Sequence, residues 1–74
     1  MNKSGEAWVF LKMKCHDLGR PFLTFYEIEL TLERNNIRFE RLDQALELMR
    51  RNNMLDWRDE DIKIGCRLRC YYIK

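Results

Sequence analysis

Few side chains in this sequence are suited to catalysis. The single histidine, His16, stands between Cys15 and Asp17. A histidine activates a nucleophile only when a further group orients its ring, and the sequence offers no such partner. We expect Cys15 to lie on the apolar face of a helix and His16 to be solvated near the end of that helix, where a positive charge is favoured. No residue is therefore predicted to be catalytic, and we expect a protein that is not an enzyme.

Metal and cofactor chemistry are not predicted either. Cys66 and Cys70, together with one distant histidine, do not make a zinc site, and the sequence has no glycine-rich loop for a phosphate. We expect both cysteines to be small hydrophobic residues of the core. Three cysteines, with no signal peptide and no membrane-spanning run, indicate reduced thiols in a cytoplasmic protein.

The composition indicates one well-solvated domain. The chain has 74 residues, of which 46% are hydrophobic and 35% are charged. This is enough for a single small domain that spans residues 1–74. The formal net charge of +2 permits binding to nucleic acid without requiring it.

The first predicted helix spans about Gly5 to Leu18. Ser4 is a suitable N-cap for it. Gly19, followed two residues later by Pro21, is a strong signal for its end. The residues that recur at helical spacing and form its inward face are Trp8, Leu11, Cys15 and Leu18.

Two interpretations fit the next segment. Thr24 and Glu27 have the spacing of a capping box, which favours a helix from Thr24 to about Arg34. The run Tyr26–Glu33 also alternates apolar and polar residues, as a half-buried strand does. In that alternative the fold is a β-rich α+β structure with an antiparallel sheet and one helix. The capping signal favours the helix.

A third helix is predicted from about Phe39 to Arg51, where apolar residues again recur at helical spacing. The rest of the chain indicates a β-hairpin. Met54–Trp57 enters this hairpin, Arg58–Asp61 forms its polar tip, and Cys66–Ile73 is the returning strand.

The alternation of the returning strand assigns its residues to two faces of a sheet. We expect Leu68 and Tyr72 to face the core, and Tyr71 and Ile73 to face outwards. The complete predicted core consists of Trp8, Leu11, Leu18, Phe25, Ile28, Leu32, Leu42, Leu46, Met49, Leu55, Leu68 and Tyr72.

The order of these elements resembles that of a known family. The resemblance rests on Leu23–Ile28 in the second helix, Leu42–Met49 in the third, Asn53–Leu55 before the hairpin and Arg67–Ile73 in its returning strand. The pattern resembles the winged helix-turn-helix superfamily, and the returning strand looks like the closing wing strand of PadR- and MarR-like regulators. Leu46–Trp57 is also similar to the winged helices of ESCRT-II subunits, which bind proteins instead of DNA. The implied fold is α+β, with three helices and a C-terminal β-hairpin wing.

The resemblance implies a small DNA-binding protein that regulates transcription. Its third helix is expected in the major groove of double-stranded DNA and its wing on the backbone. Arg38, Arg41 and Gln44 are then the candidates for contacts to bases. Binding is expected from a homodimer, because one small module buries little surface. The candidate phosphate contacts are Lys12, Lys14, Arg20, Arg51, Arg58 and Lys63.

Carboxylates on the same surfaces favour a different partner. Glu40, Asp43 and Glu47 are expected on the exposed side of the third helix, and the predicted wing tip is acidic. Carboxylates at these places weaken binding to phosphates. The alternative is therefore a protein–protein interaction module that does not bind DNA. Its contact surface would be the broad apolar face of the first helix together with the outward Tyr71 and Ile73.

Overall fold

The computed structural model describes residues 2–74, which form three α-helices and a three-stranded antiparallel sheet. The elements are α1 (Lys3–Leu18), β1 (Phe22–Thr24), α2 (Phe25–Arg34), α3 (Leu42–Arg51), β2 (Leu55–Lys63) and β3 (Cys66–Ile73). The fold class is therefore α+β, as the sequence predicts. The alternative with a single helix is wrong, because α2 is helical throughout. No helix of this part of the chain is long and apolar enough to cross a bilayer.

The capping box at the start of α2 is confirmed. The hydroxyl of Thr24 accepts a hydrogen bond from the backbone N–H of Glu27 at 3.2 Å. In return, the carboxylate of Glu27 accepts one from the N–H of Thr24 at 2.9 Å. Both bonds satisfy donors that a helix start leaves without a partner inside the helix. They explain why this segment is helical despite its alternating pattern.

The two ends of α1 differ in how well they were predicted. Gly19 ends the helix with φ at +67°, and its N–H donates to the carbonyl of His16 at 3.1 Å. The N-cap is Asn2 and not Ser4, because the side chain of Asn2 accepts from the N–H of Gly5 at 2.7 Å. Leu18, predicted in the core, is exposed at the last turn of the helix.

α3 begins at Leu42, three residues later than predicted. Arg41 is its N-cap, with an extended backbone and no hydrogen bond from its side chain to the helix. Ile37 is buried, and Phe39 packs against the core beside it. These two contacts hold the segment before α3 in an irregular path, so that Arg38 lies in a loop and not on the helix.

The sheet has the order β1-β3-β2, and its register decides which residues face the helices. Leu23 pairs with Tyr71, and Leu55 pairs with Ile73. All four are buried in one core cluster, so the prediction that Tyr71 and Ile73 face outwards is wrong. Because side chains alternate along a strand, Leu68 and Tyr72 of β3 lie on the opposite face, outside this cluster.

The core cluster contains half of the predicted residues and several others. Trp8, Phe25 and Leu42 are partly buried against it. Trp8 also joins distant segments, since its indole N–H donates to the carbonyls of Met54 and Lys74 at 3.1 and 3.0 Å. The buried members are Ala7, Leu11, Cys15, Leu23, Ile28, Leu32, Ile37, Leu46, Met49, Leu55, Tyr71 and Ile73.

The tip of the hairpin is not where the sequence placed it. Lys63 pairs with Cys66, so the turn consists of Ile64 and Gly65, and Gly65 has φ at +81°. The predicted tip, Arg58–Asp61, lies within β2. Trp57 is the last residue of β2 that packs against the core, and the remaining hairpin projects from the body of the protein. The molecule is accordingly elongated, with extents of 41, 24 and 20 Å.

Candidate nucleic-acid interface

The side chains considered for catalysis or metal binding are scattered. Cys15 and Cys70 are buried, and burial raises the pKa of both thiols. Cys66 is exposed beside the hairpin turn, which corrects its expected place in the core. Among residues 2–74, no three His, Cys, Asp or Glu side chains come together in a way that could hold a metal ion.

The structure does not bring the three predicted base-contacting residues onto one face of α3. Arg41 and Gln44 lie on its exposed side, whereas Arg38 is in the preceding loop and lines a separate groove with Glu29 and Glu33. Arg38, Arg41 and Gln44 are all exposed.

Arg41 and Gln44 line a shallow groove with Leu48 and with the exposed Glu40, whose place beside the candidate interface is as predicted. Arg41, Gln44, Leu48 and Arg51 are spaced at i, i+3, i+7 and i+10, which places them on one stripe of the helix surface. We call these four residues the α3 stripe.

The negative charge of Glu47, on the neighbouring side of α3, is compensated by two arginines. It accepts hydrogen bonds from Nε of Arg50 at 3.0 and 3.1 Å, and Nε of Arg51 lies 3.8 Å away. The hydrogen bond from Arg50 lowers the pKa of Glu47 to about 2, and Trp57 of β2 contributes to this shift. Glu47 therefore stays ionised, but its charge is compensated on the side of α3 that faces the hairpin.

The carboxylates of the hairpin are also partnered. Asp59 accepts from Nε of Arg69 across the strands at 2.9 Å, and Asp61 lies 3.3 Å from Nε of Arg67. Glu60, on the other face of the hairpin, accepts from the hydroxyl of Tyr72 at 2.6 Å. The acidic run that the sequence placed at the tip is thus part of a paired, mixed-charge ribbon.

The tip, residues 62–65, differs from the rest of the hairpin because it has no carboxylate. It carries Lys63 between Ile62 and Ile64, all exposed. Within residues 2–74, no carboxylate forms an ion pair with Lys63, Arg38 or Arg41. The cations at the start of α3 and at the end of the hairpin are therefore available to an external anion.

Four of the six predicted phosphate contacts are not brought together with α3. Arg58 projects from the sheet face opposite the helices, where its guanidinium lies 4.4 Å from the centre of the Tyr72 ring. Arg20 pairs with Glu27 and lies over Phe22 at 4.7 Å. Neither is brought together with α3. Lys12 and Lys14 lie on α1, away from the α3 stripe.

No known protein-family model, curated protein or solved structure matches this chain. The candidate interface rests on the geometry of the chain itself.

Three residues of this interface were missed by the sequence analysis. Leu48 is 55% exposed on the α3 stripe, and its helical spacing from Gln44 was a usable signal. Ile62 and Ile64 were missed because the tip was placed too early. The signal for the true tip is Gly65, which supplies the positive φ that a tight turn requires.

Proposed function

We propose that this chain is a winged helix-turn-helix protein that binds double-stranded DNA and regulates transcription, not an enzyme. In this proposal α3 enters the major groove and the β2–β3 hairpin is the wing. The support for it is the order of elements, α1-β1-α2-α3-β2-β3, which matches the order that the family resemblance implies. The connection between α2 and α3, residues 35–41, is longer than the turn of about 3–4 residues in a typical helix-turn-helix, so the order of elements is the support that the fold provides.

The observation that carries the proposal is the distribution of unpaired charge. Binding to DNA gains free energy where a cation replaces counterions at a phosphate, and a nearby carboxylate opposes this gain. On this protein Arg38, Arg41 and Lys63 have no acidic partner among the described residues, whereas Glu47 and the hairpin carboxylates do. The objection from an acidic wing tip is therefore removed. In the described part of the chain, Glu40 and Asp43 remain exposed without an ion pair beside Arg41, and their charge opposes the binding of a phosphate there.

The dimensions and chemistry of α3 suit the major groove. A helix about 10–12 Å in diameter fits a groove about 12 Å wide. Arg41 can donate two hydrogen bonds to guanine, and Gln44 can form a pair of bonds with adenine, each worth about 1–3 kcal/mol of discrimination. Arg38, Arg51 and Lys63 are placed to contact phosphates. One such module buries only about 600–1,000 Å², so we propose that two copies bind adjacent half-sites.

The test is the salt dependence of binding to duplex DNA. Fluorescence anisotropy is measured with a random-sequence duplex at several salt concentrations between about 50 and 200 mM. We expect affinity to fall steeply with salt. The double variant Arg38→Gln/Arg41→Gln should weaken binding and reduce the slope of log affinity against log salt by about 1, because one phosphate contact, that of Arg38, is lost together with the base contact of Arg41.

Arg34→Gln is the matched control. Arg34 is exposed on α2 and lines a groove with Phe10 and Met13 of α1, so its loss changes net charge without touching the proposed interface. We compare it with the single variant Arg41→Gln. Equal losses of affinity in the two variants would mean that only net charge matters. Binding that does not respond to salt would reject the DNA-binding proposal.

The second candidate function is a protein-interaction module. It loses the support of Tyr71 and Ile73, which are buried. It keeps the support of exposed apolar side chains, namely Leu48 on α3 and Met13 on α1, each 55% exposed. This function predicts a complex that is insensitive to salt and weakened by Leu48→Ala.

A further inference from the structure

The hairpin tip exposes two isoleucines that the fold does not use. Ile64 is fully exposed, and Ile62 is 63% exposed. The turn needs Gly65 for its positive φ, but turns favour Asn, Asp, Ser or Pro over a β-branched residue beside it. Ile64 therefore contributes neither to the core nor to the chemistry of the turn. Its apolar surface is available to a partner.

The cross-strand pairs hold this tip away from the body of the protein. A two-stranded ribbon that leaves the core depends on side-chain pairs across its strands for its order. Asp59 pairs with Arg69 and Asp61 with Arg67. The guanidinium of Arg69 also lies 3.7 Å from the centre of the Trp57 ring, which ties the ribbon to the last residue that contacts the core.

The reach of the hairpin matches the spacing of DNA grooves. From Trp57 to Lys63 the strand advances six residues, or about 20 Å. One turn of DNA is about 34 Å, so the minor groove beside an occupied major groove lies about 17 Å away. The minor groove, about 6 Å wide, is too narrow for a two-stranded ribbon but admits a side chain at its tip.

We infer that Ile64, with Ile62 beside it, enters the minor groove as an apolar wedge while Lys63 contacts a phosphate. Apolar side chains inserted in this way partly unstack a base step and bend the duplex towards the major groove. The inference rests on the proposed DNA binding and adds to it a bent duplex. It also predicts a preference for pyrimidine–purine steps such as TA, because these unstack most easily.

The test measures the unstacking of a base step through the fluorescence of 2-aminopurine. The probe is a duplex of about 30 base pairs with 2-aminopurine beside a TA step, and a duplex of G·C pairs of equal length is the comparison. We expect 2-aminopurine fluorescence to rise when the wild-type protein saturates the probe. Ile64→Asn should abolish this rise and weaken binding roughly tenfold or more, because the apolar contact is lost. The salt slope should not change, because no charge is altered.

Two features keep the variant interpretable. Asn is favoured in turns, so Ile64→Asn should preserve the hairpin, which a circular dichroism spectrum checks. Met13→Gln is the matched control, since it removes an apolar side chain that is 55% exposed on α1, far along the chain from the tip. This control should leave both affinity and fluorescence unchanged.

The outcomes separate the wedge from the proposed function. If Ile64→Asn binds DNA with the wild-type affinity and fluorescence, the wedge is refuted while DNA binding stands. If the wild-type protein binds no duplex, both proposals fail. A third arm uses vesicles of neutral and anionic phospholipid. Vesicle binding that depends on Ile64, with DNA binding unaffected by the variant, would assign the tip to a membrane surface and overturn the inference.

Discussion

Two leucines of α3 provide a matched test of how this helix is oriented. Leu46 is 2% exposed and belongs to the core cluster, whereas Leu48, two residues later, is 55% exposed. Replacing either by Ala removes the same atoms from the same helix, and the helix propensity changes by the same amount. The difference in stability between Leu46→Ala and Leu48→Ala therefore measures burial alone.

The expected magnitudes follow from the burial of each side chain. A fully buried leucine replaced by Ala costs about 2–5 kcal/mol, because apolar contacts are lost and a cavity remains. A largely exposed one usually changes stability by less than about 0.5 kcal/mol. A domain of this length has a total stability of roughly 4–11 kcal/mol. Leu46→Ala should therefore lower the melting temperature by about 10 °C or more, and Leu48→Ala should leave it nearly unchanged.

The assays are thermal unfolding and urea unfolding, both followed by circular dichroism, with the slope of the urea transition checked in each variant. Equal destabilisation by the two substitutions would refute the placement of α3, and with it the exposed stripe that the proposed function uses. A stable Leu46→Ala variant would refute it equally. Leu48→Ala has a second use, because a folded variant with changed partner binding would place Leu48 in the interface.

Two further predictions concern the ends of the helices. Burial raises the pKa of Glu27, but the hydrogen bond from Thr24 and the pairing with Arg20 outweigh it, so the folded pKa is below its ordinary value of 4.5. The contribution of Glu27 to stability should therefore be complete above about pH 4.5 and fall as the pH drops below it. Glu27→Gln, which can keep the capping box, should reduce this fall when unfolding is compared at about pH 7 and about pH 3. At the C-terminal end of α1, a Cβ on Gly19 meets nothing within 4 Å, and φ is +67°. Gly19→Ala should therefore cost about 1 kcal/mol from backbone strain alone, and Gly19→Asn less; equal costs in thermal unfolding would contradict this explanation.

Local signals in the sequence predicted the helices, because their causes are local. The capping box of Thr24 and Glu27 lies within four residues, and Gly19 ends α1 through its own backbone conformation. The start of α3 was predicted too early because its cause is not local. The core contacts of Ile37 and Phe39, made with other elements, keep the preceding segment out of the helix.

The sheet was predicted less well, because register depends on residues far apart in the chain. Alternation correctly divided β3 into two faces, but only the pairing of Leu23 with Tyr71 shows which face meets the helices. The position of the hairpin tip was mispredicted for the same reason, because it too depends on pairing between the two strands. The polar run Arg58–Asp61 looks like a turn in sequence, yet it is strand, because each of its carboxylates has a partner on β3, which is an arginine for the two aspartates and Tyr72 for Glu60.

The pairing of the hairpin charges also limits which of its cations can bind a phosphate. The bond from Arg69 lowers the pKa of Asp59, so this pair persists at neutral pH. Exposed ion pairs are weak, worth about 0–1 kcal/mol, so a phosphate could draw Arg67 away from Asp61 at little cost. The aspartate would then be left unpaired beside the phosphate, and its repulsion would offset the gain. Of the described hairpin residues, Lys63 is the cation that can contact a phosphate without exposing a carboxylate, which makes the tip, and not the ribbon behind it, the contact point of the wing.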